Sequence, residues 1–409
     1  MRIGIAGAGI AGRLIAWQLG RLGHEVDVFD PAPDAEAPSA PGTHGAAAFT
    51  AAGMLSPLGE LENAPGDVAE RGWRSLDLWP GIVAELRPEL RATTLFRRNG
   101  SVLVAHPGDA GAAERVLARV RAAQIKSARV RDAVDSEQGM PPSPRQPDGD
   151  GPAPSSLPRG GDFPLDELAE RSHRRLPTLL ADEALRTLEP TLSAGLRGWL
   201  LPGEGQIDTA RLLPALCADA VGVRWHWATR VDRVEAHQLH FAHARSRGFE
   251  VAIDTRGLGS RPALPLRGVR GELLWLHAPG LDLRRPIRCV HPRHRVYLVP
   301  RHGDIVIVGA TEVDSEDRST VSVRSAIELL TAAHSIVPQL AEARIVRLET
   351  HLRPATADQR PLLQVDQGLI RINGLFRHGF LLAPAMVEEA LLRSGLAAGV
   401  ALRRETSDA

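Results

Sequence analysis

Met1-Arg2-Ile3-Gly4-Ile5-Ala6-Gly7-Ala8-Gly9-Ile10-Ala11-Gly12 opens the chain, and Glu25-Val26-Asp27-Val28-Phe29-Asp30 follows one helix-length later. The first six residues are a short apolar run that predicts a buried strand. Ile10, Leu14, Trp17 and Leu22 recur at helical spacing, and Gly23 ends that helix. Glu25 to Phe29 predicts a second strand. The glycines therefore sit between a strand and a helix, with an acid, Asp30, about twenty positions on, the context that gives G-x-G-x-x-G its meaning. Gly7 permits the tight turn, Gly9 lets backbone N–H groups approach a pyrophosphate at the positive helix end, and Gly12 lets helix and strand pack closely. Asp30 is placed to accept hydrogen bonds from a ribose, with no Arg beside it for a ribose phosphate. A glycine-rich turn without a ligand is the alternative. The pattern points to an adenine dinucleotide.

The remaining composition sets limits. A chain of 409 residues is too long for one small core, so two domains are expected. Formal net charge is zero and the arginines are dispersed, which argues against nucleic acid or an anionic membrane as the main partner. Cys217 and Cys289 lie far apart and form no metal or redox motif, as expected of buried thiols in a reducing compartment. With a strand predicted from the first residue, no signal peptide is expected. The apolar opening is broken by glycines and Arg13, so no membrane span is expected either. A soluble, cytoplasmic protein is the expectation.

Along the chain, 31–45 reads as loop. Ala51-Ala52-Gly53-Met54-Leu55-Ser56-Pro57 offers small residues where a chain can run close under a ligand, although a plain helix start is an alternative. Helices are predicted over 73–90 and 110–123, with a strand over 101–105. From 136 to 161 Pro, Gly, Ser and Asp dominate, which predicts a disordered insertion. Leu200 to Asp208 reads as a loop feeding a helix over 209–220. Strands are predicted over 223–226, 230–234, 267–276, 345–348 and 369–373. The strands 296–299 and 305–308 form a hairpin, and helices follow over 323–336 and from about 381. His237, His240 and His243 have a spacing that suits metal only on a helix. They flank a short strand and a turn, so no metal site is expected.

Eight short pieces, in order, carry a resemblance to the FAD-dependent amino-acid oxidases, and within them to the glycine oxidases linked to thiamine biosynthesis. They are Gly7 to Gly12, Ala52-Gly53-Met54-Leu55, Leu188-Glu189-Pro190, Val269-Arg270-Gly271-Glu272, Tyr297-Leu298-Val299-Pro300-Arg301, Val308-Gly309-Ala310-Thr311-Glu312, Leu352-Arg353-Pro354, and Phe376-Arg377-His378-Gly379 running into Leu381-Leu382-Ala383-Pro384. They span nearly the whole chain apart from 128–175. The resemblance implies an α/β fold: a Rossmann-like FAD-binding domain of discontinuous segments (1–97, 187–265, 351–409) and an α+β, mixed-sheet substrate domain (98–186, 266–350). It implies non-covalent FAD held by Gly7, Ala8, Gly9, Ile10, Ala11, Gly12, Asp30, Pro31, Ala52, Gly53, Met54, Val231, Arg377, His378, Gly379, Phe380 and Leu381. The chain departs from the family pattern at His351, Leu375, Phe376 and His378, and carries Asp30 where Glu is more frequent. His351 and His378 are expected to narrow or repolarise the pocket.

Flavin oxidation of an amino acid needs a neutral amine and a well-oriented α-carbon, while the ring supplies the chemistry. The protein must therefore supply a bidentate partner for the substrate carboxylate, a task suited to the planar fork of Arg. Arg353 is the first candidate, Arg377 a second cationic wall, and Tyr297, the only Tyr, a hydroxyl donor to the same group. Domain-bridging salt bridges for the arginines and a half-buried strand position for Tyr297 are the plainer alternatives. Gly379 to Leu381 opens a helix whose N–H groups can face the flavin pyrimidine carbonyl. The leading expectation is oxidation of glycine or another small amino acid to an imine, with oxygen as acceptor, hydrogen peroxide as product, and thiazole assembly for thiamine as destination. A D-amino-acid or secondary-amine dehydrogenase with another acceptor is the second, and a flavin-binding partner subunit with little turnover the third. The resemblance leaves room for a homo-oligomer.

Overall fold

The computed structural model describes residues 1–37, 45–61, 66–91, 95–122, 176–242, 244–290 and 295–397. The 136–161 insertion and His243 lie outside them. Two sheets organise the molecule. The first has six strands in the order Leu362–Asp366, Leu369–Asn373, Val251–Asp254, Arg2–Ala6, Glu25–Phe29, Val223–His226. All its pairings are parallel except the antiparallel hairpin formed by the first two strands. Its central strand buries four of five residues, as a parallel strand covered on both faces must. Helices Ile10–Arg21, Thr209–Asp219, Gly66–Glu85 and Gly379–Arg393 cover one face through Leu14, Trp17, Leu216, Leu76, Trp79, Leu382 and Met386. On the other face, Phe29 and Ala252 pack with Val234 and Leu239 of a small antiparallel sheet.

The second sheet has eight strands in the order Arg344–Ala355, Arg267–His277, Ile305–Gly309, Arg295–Arg301, Ile287–Val290, Ser101–Ala105, Arg197–Leu201, Thr178–Leu180. Only the Ser101–Ala105 and Ile287–Val290 pair is parallel. The period-two alternation of its strands sorts the two faces. Leu274, Leu298 and Val308 point to the side covered by helix Val323–Ile336. Leu273, Tyr297, Val299 and Ile307 point the other way, onto Ala52 and Met54. That second face is turned toward the dinucleotide half.

Several sequence expectations need correction. The helix expected over 73–90 runs from Gly66 to Glu85, because Pro88 disfavours helical backbone just before it. The stretch 200–208, expected as loop, holds the end of strand Arg197–Leu201 and a further strand, Gly205–Ile207. The latter pairs with Met54–Leu55 on one side and Phe96–Arg97 on the other, partners that its Gly- and Pro-rich composition does not announce. The strand expected over 230–234 is Arg233–Glu235, and that expected over 345–348 extends from Arg344 to Ala355. The last helix begins at Gly379, two residues early. Strand Arg197–Leu201 falls in a segment expected in the cofactor domain yet pairs within the eight-stranded sheet, and strand Arg344–Ala355 runs through the 350/351 boundary. His240 lies on a hairpin strand and contacts Glu235 at 2.8 Å, while His237 occupies the turn before that strand. Among the described residues no helix is long and apolar enough to cross a membrane.

Candidate active site

A cavity of about 1150 Å³ runs from the glycine loop to the Tyr297 face of the eight-stranded sheet. At its first end Gly7 has φ +98°, and a Cβ there would meet the Thr255 carbonyl at 2.7 Å. A Cβ at Gly12 would lie 1.9 Å from the Gly7 carbonyl, which fixes glycine at that crossing. Helix Ile10–Arg21 starts with no side-chain cap at Gly9 and no acid in its first turn. Its leading N–H groups are thus left for a ligand, at the positive end of the dipole. Gly7, Gly9, Ile10 and Ala11 line the cavity there, and Phe29, Asp30, Pro31 and Val231 line it beside them. Asp30 accepts from the Ala8 amide at 2.6 Å and the Ala32 amide at 2.8 Å. Its carboxylate, with about four lone-pair sites, retains acceptor capacity for a ribose. This cradle fits an adenine dinucleotide. Ala8 and Gly12 serve it from behind, Ala8 through that bond to Asp30. Arg13, buried, braces the same loop by donating to the Ala8 carbonyl at 2.7 Å.

Midway, Ala52, Gly53 and Met54 line the cavity floor. The half-buried Arg301 donates to the Ala52 carbonyl from below, and desolvation of its guanidinium pushes its pKa down to about 10. A second uncapped helix start, Gly379 to Leu381, lines the same region, with His378 as N-cap residue and no side-chain cap bond. A Cβ at Gly379 would sit 3.4 Å from Ile10, so the two helix N-termini converge on one space.

The far end holds the polar side chains. Arg353 donates Nη1 to the Thr311 carbonyl at 2.9 Å, and no carboxylate lies within ion-pair distance of it among the described residues. Its guanidinium lies over Gly271 of the neighbouring strand, where a Cβ would come within 2.2 Å of Nη2. Burial lowers its pKa and the charges of Tyr297 and Glu312 act against that. Tyr297 lines the same wall; burial pushes its phenol up against the pull of Arg353, Arg288 and Arg377. Arg377 differs from Arg353, because it is already engaged by two carboxylates, Glu60 at 2.8 Å and Glu312 at 3.2 Å. His378 does not line the cavity. Its buried ring contacts Glu60 at 2.8 Å, so it does not repolarise the pocket directly. His351 does line it, with Nε2 held on the Gly45 carbonyl at 2.9 Å.

Glu60 is the centre that sequence reading missed. It sits on the short helix Pro57–Glu60 and takes Arg288 at 3.1 Å besides Arg377 and His378. Burial alone would raise its pKa, but His378, Arg377 and Arg288 hold it well below the usual carboxylate range. A second buried acid, Glu204, seats that helix by accepting from the Leu58 and Gly59 amides at 2.8 and 3.1 Å and from the Ser56 and Ser101 hydroxyls. Nothing in local sequence marks either acid. Their partners lie between 103 and 318 residues away along the chain, on other elements. Glu312 and Thr311 stood within a recognised motif and so carried a signal, though no role.

A family model described as DAO, FAD dependent oxidoreductase, matches residues 2–390. A protein of Rhizobium etli named for thiamine biosynthesis, the oxidoreductase ThiO, is 32% identical over 96% of this chain and 96% of its own length. The glycine oxidase of Geobacillus kaustophilus is 26% identical over 99% of this chain and 94% of its own. Its crystal structure superposes with a TM-score of 0.68 at 23% identity, covering 95% and 93% of the two chains. Iminodiacetate oxidase from Chelativorans sp. BNC1 gives 0.70 at 22% identity, covering 97% and 95%.

Proposed function

Because the chain belongs to the DAO family of FAD dependent oxidoreductases, we propose that it oxidises glycine or another small α-amino acid, with the imine feeding thiazole assembly for thiamine. FAD is the cofactor, and when bound it supplies the acceptor for the hydride leaving the substrate α-carbon. The observation that carries the reading is Arg353: a half-buried guanidinium with no carboxylate partner among the described residues, beside Tyr297, at the opposite end of the cavity from the glycine cradle. Its fork takes the substrate carboxylate in two parallel bonds, and Tyr297 donates to the same group. Arg377, held by Glu60 and Glu312, forms a rigid second wall. The six-stranded sheet carries the cofactor and the eight-stranded sheet the substrate, with strand Arg197–Leu201 on the substrate side.

For the cofactor, the amides of Gly9, Ile10 and Ala11 take the pyrophosphate, Asp30 the ribose, and the helix start 379–381 the pyrimidine end of the flavin. Gly7, Gly12 and Ala8 shape that cradle, and Pro31, Val231 and Ala52 to Met54, which line the same cavity, would hold the rest of the cofactor. The flavin is held non-covalently: Cys217 and Cys289 are both buried and their thiols are pushed up to about 12 by burial, a poor state for attack on a ring. Acid precipitation should release all the flavin to the supernatant; colour left on the pellet would refute this.

The cradle has its own test. A Cβ on Gly9 would meet nothing nearer than Ala46 Cβ at 4.0 Å, so Gly9→Ala should fold normally. It should nevertheless bind FAD roughly tenfold or more weakly, about 1.4 kcal/mol, because the methyl stands where the pyrophosphate approaches. Gly12→Ala, by contrast, should fail to give folded protein. Full flavin content in folded Gly9→Ala would remove the pyrophosphate from this loop.

Oxygen is the proposed acceptor, supported by relatives named as oxidases. An anaerobic screen of glycine, sarcosine and D-amino acids for flavin bleaching tests the activity, and peroxide on re-aeration tests the acceptor. No bleaching by any of them would overturn the reading. Two buried, unpaired thiols support a reducing, cytoplasmic setting. The edge strand Arg344–Ala355, with exposed Ile345, Val346 and Leu348, supports a homo-oligomer, which elution at monomer mass would exclude.

A further inference from the structure

The residues lining the cavity include the guanidinium groups of Arg288, Arg353 and Arg377 and the carboxylates of Glu60 and Glu312. Glu60 is buried and already engaged by Arg288, Arg377 and His378. Glu312 stands differently. Its side chain is 44% exposed, it lines the cavity, and its carboxylate meets Arg377 at 3.2 Å. A carboxylate offers about four acceptor positions, so one long contact leaves capacity for a ligand.

Its placement relative to Arg353 is fixed by the residue before it. The Thr311 carbonyl accepts from Arg353 Nη1 at 2.9 Å, and the Thr311 hydroxyl contacts the buried Glu272 at 3.1 Å. Glu272 is in turn clamped by Arg270 at 2.6 Å. An anionic group therefore follows, one residue on, the backbone that holds the carboxylate anchor, and its charge acts on Arg353.

We propose that Glu312 receives the amino group of the substrate, so that the site selects an α-amino acid by both ends. The proposal rests on the reading of Arg353 given above and adds the partner for the other end of the molecule. Glu312 accepts N–H bonds from the ammonium of the arriving zwitterion and equally from the neutral amine. Its bond to Arg377 aims the carboxylate. Primary and N-methyl amino acids both keep an N–H for it. Simple carboxylic acids do not.

The test compares ligands that differ only at that end. FAD-loaded wild type and Glu312→Gln are mixed anaerobically with glycine, following the concentration dependence of flavin bleaching, and separately with acetate, following perturbation of the flavin absorption. Glu312→Gln should weaken glycine by roughly tenfold to a hundredfold, the range of a lost charge-assisted hydrogen bond. Acetate should be bound as by wild type or more tightly. Unchanged glycine affinity, or an equal loss for acetate, would overturn the proposal and leave Glu312 as a structural partner of Arg377. If no amino acid reduces the wild-type flavin, the assigned activity fails. Glycine that binds without bleaching still perturbs the flavin absorption, so the comparison with acetate decides the role of Glu312 in that case too.

Discussion

Arg353→Ala is expected to keep its FAD and its fold while losing about 2–5 kcal/mol of transition-state stabilisation toward glycine, roughly thirtyfold to several-thousandfold in the rate of anaerobic flavin reduction at low substrate. The fold survives because the hydrogen bond to the Thr311 carbonyl leaves with the side chain and, among the described residues, no ion pair is broken. The rate does not survive, because a charged bidentate partner is removed from a closed pocket. Arg353→Lys should retain the flavin but need more substrate, since an ammonium is a point charge without the fork. A simple amine lacking the carboxylate should be a poor substrate for wild type and nearly indifferent to either change. If Arg353→Ala bleaches with glycine as fast as wild type, the carboxylate anchor lies elsewhere.

Glu60→Gln should cost stability instead. Neutralising a buried carboxylate that serves Arg288, Arg377 and His378 removes the counter-charge that Arg288 has among the described residues and leaves Arg377 to Glu312. Breaking a buried pair from one side typically costs about 3–5 kcal/mol. The midpoint of thermal flavin release should fall by several degrees, and Arg377 should lose its fixed place at the cavity wall. Arg377→Gln in the same background should add little, because the two residues act as one unit. An unchanged melting midpoint in Glu60→Gln would show that the cluster is tolerated rather than needed.

These two residues illustrate how far the sequence could be read. Arg353 could be named from the sequence because flavin oxidation of an amino acid calls for a bidentate carboxylate partner and a recognisable motif carries an Arg; the structure puts it on the cavity wall, and the role is the one we propose. Glu60 was not, because its three partners come from strand Ile287–Val290 and from the turn before the last helix. His378 was named for the right neighbourhood, but its ring is turned onto Glu60 and away from the cavity. The stretch 200–208 was read as loop, since Pro, Gly, Glu and Gln are poor strand formers on their own. Two flanking strands supply the hydrogen bonds that make Gly205–Ile207 a strand, and Glu204 is buried only because Ser56, Ser101 and two amides surround it.

What the sequence determined by itself is local: the strand, glycine turn, helix and second strand of residues 2–29, the hairpin of 295–309, and the apolar last helix. Each follows from periodicity and turn chemistry within a dozen or so residues, where sequence neighbours are spatial neighbours. Which polar groups share the cavity, and which arginine is left without a carboxylate, was decided only by the tertiary structure. Arg288, Arg353 and Arg377 are alike as side chains, and their difference is electrostatic. It arises where elements distant in sequence bring Glu60 to two of them and, among the described residues, a backbone carbonyl but no carboxylate to the third.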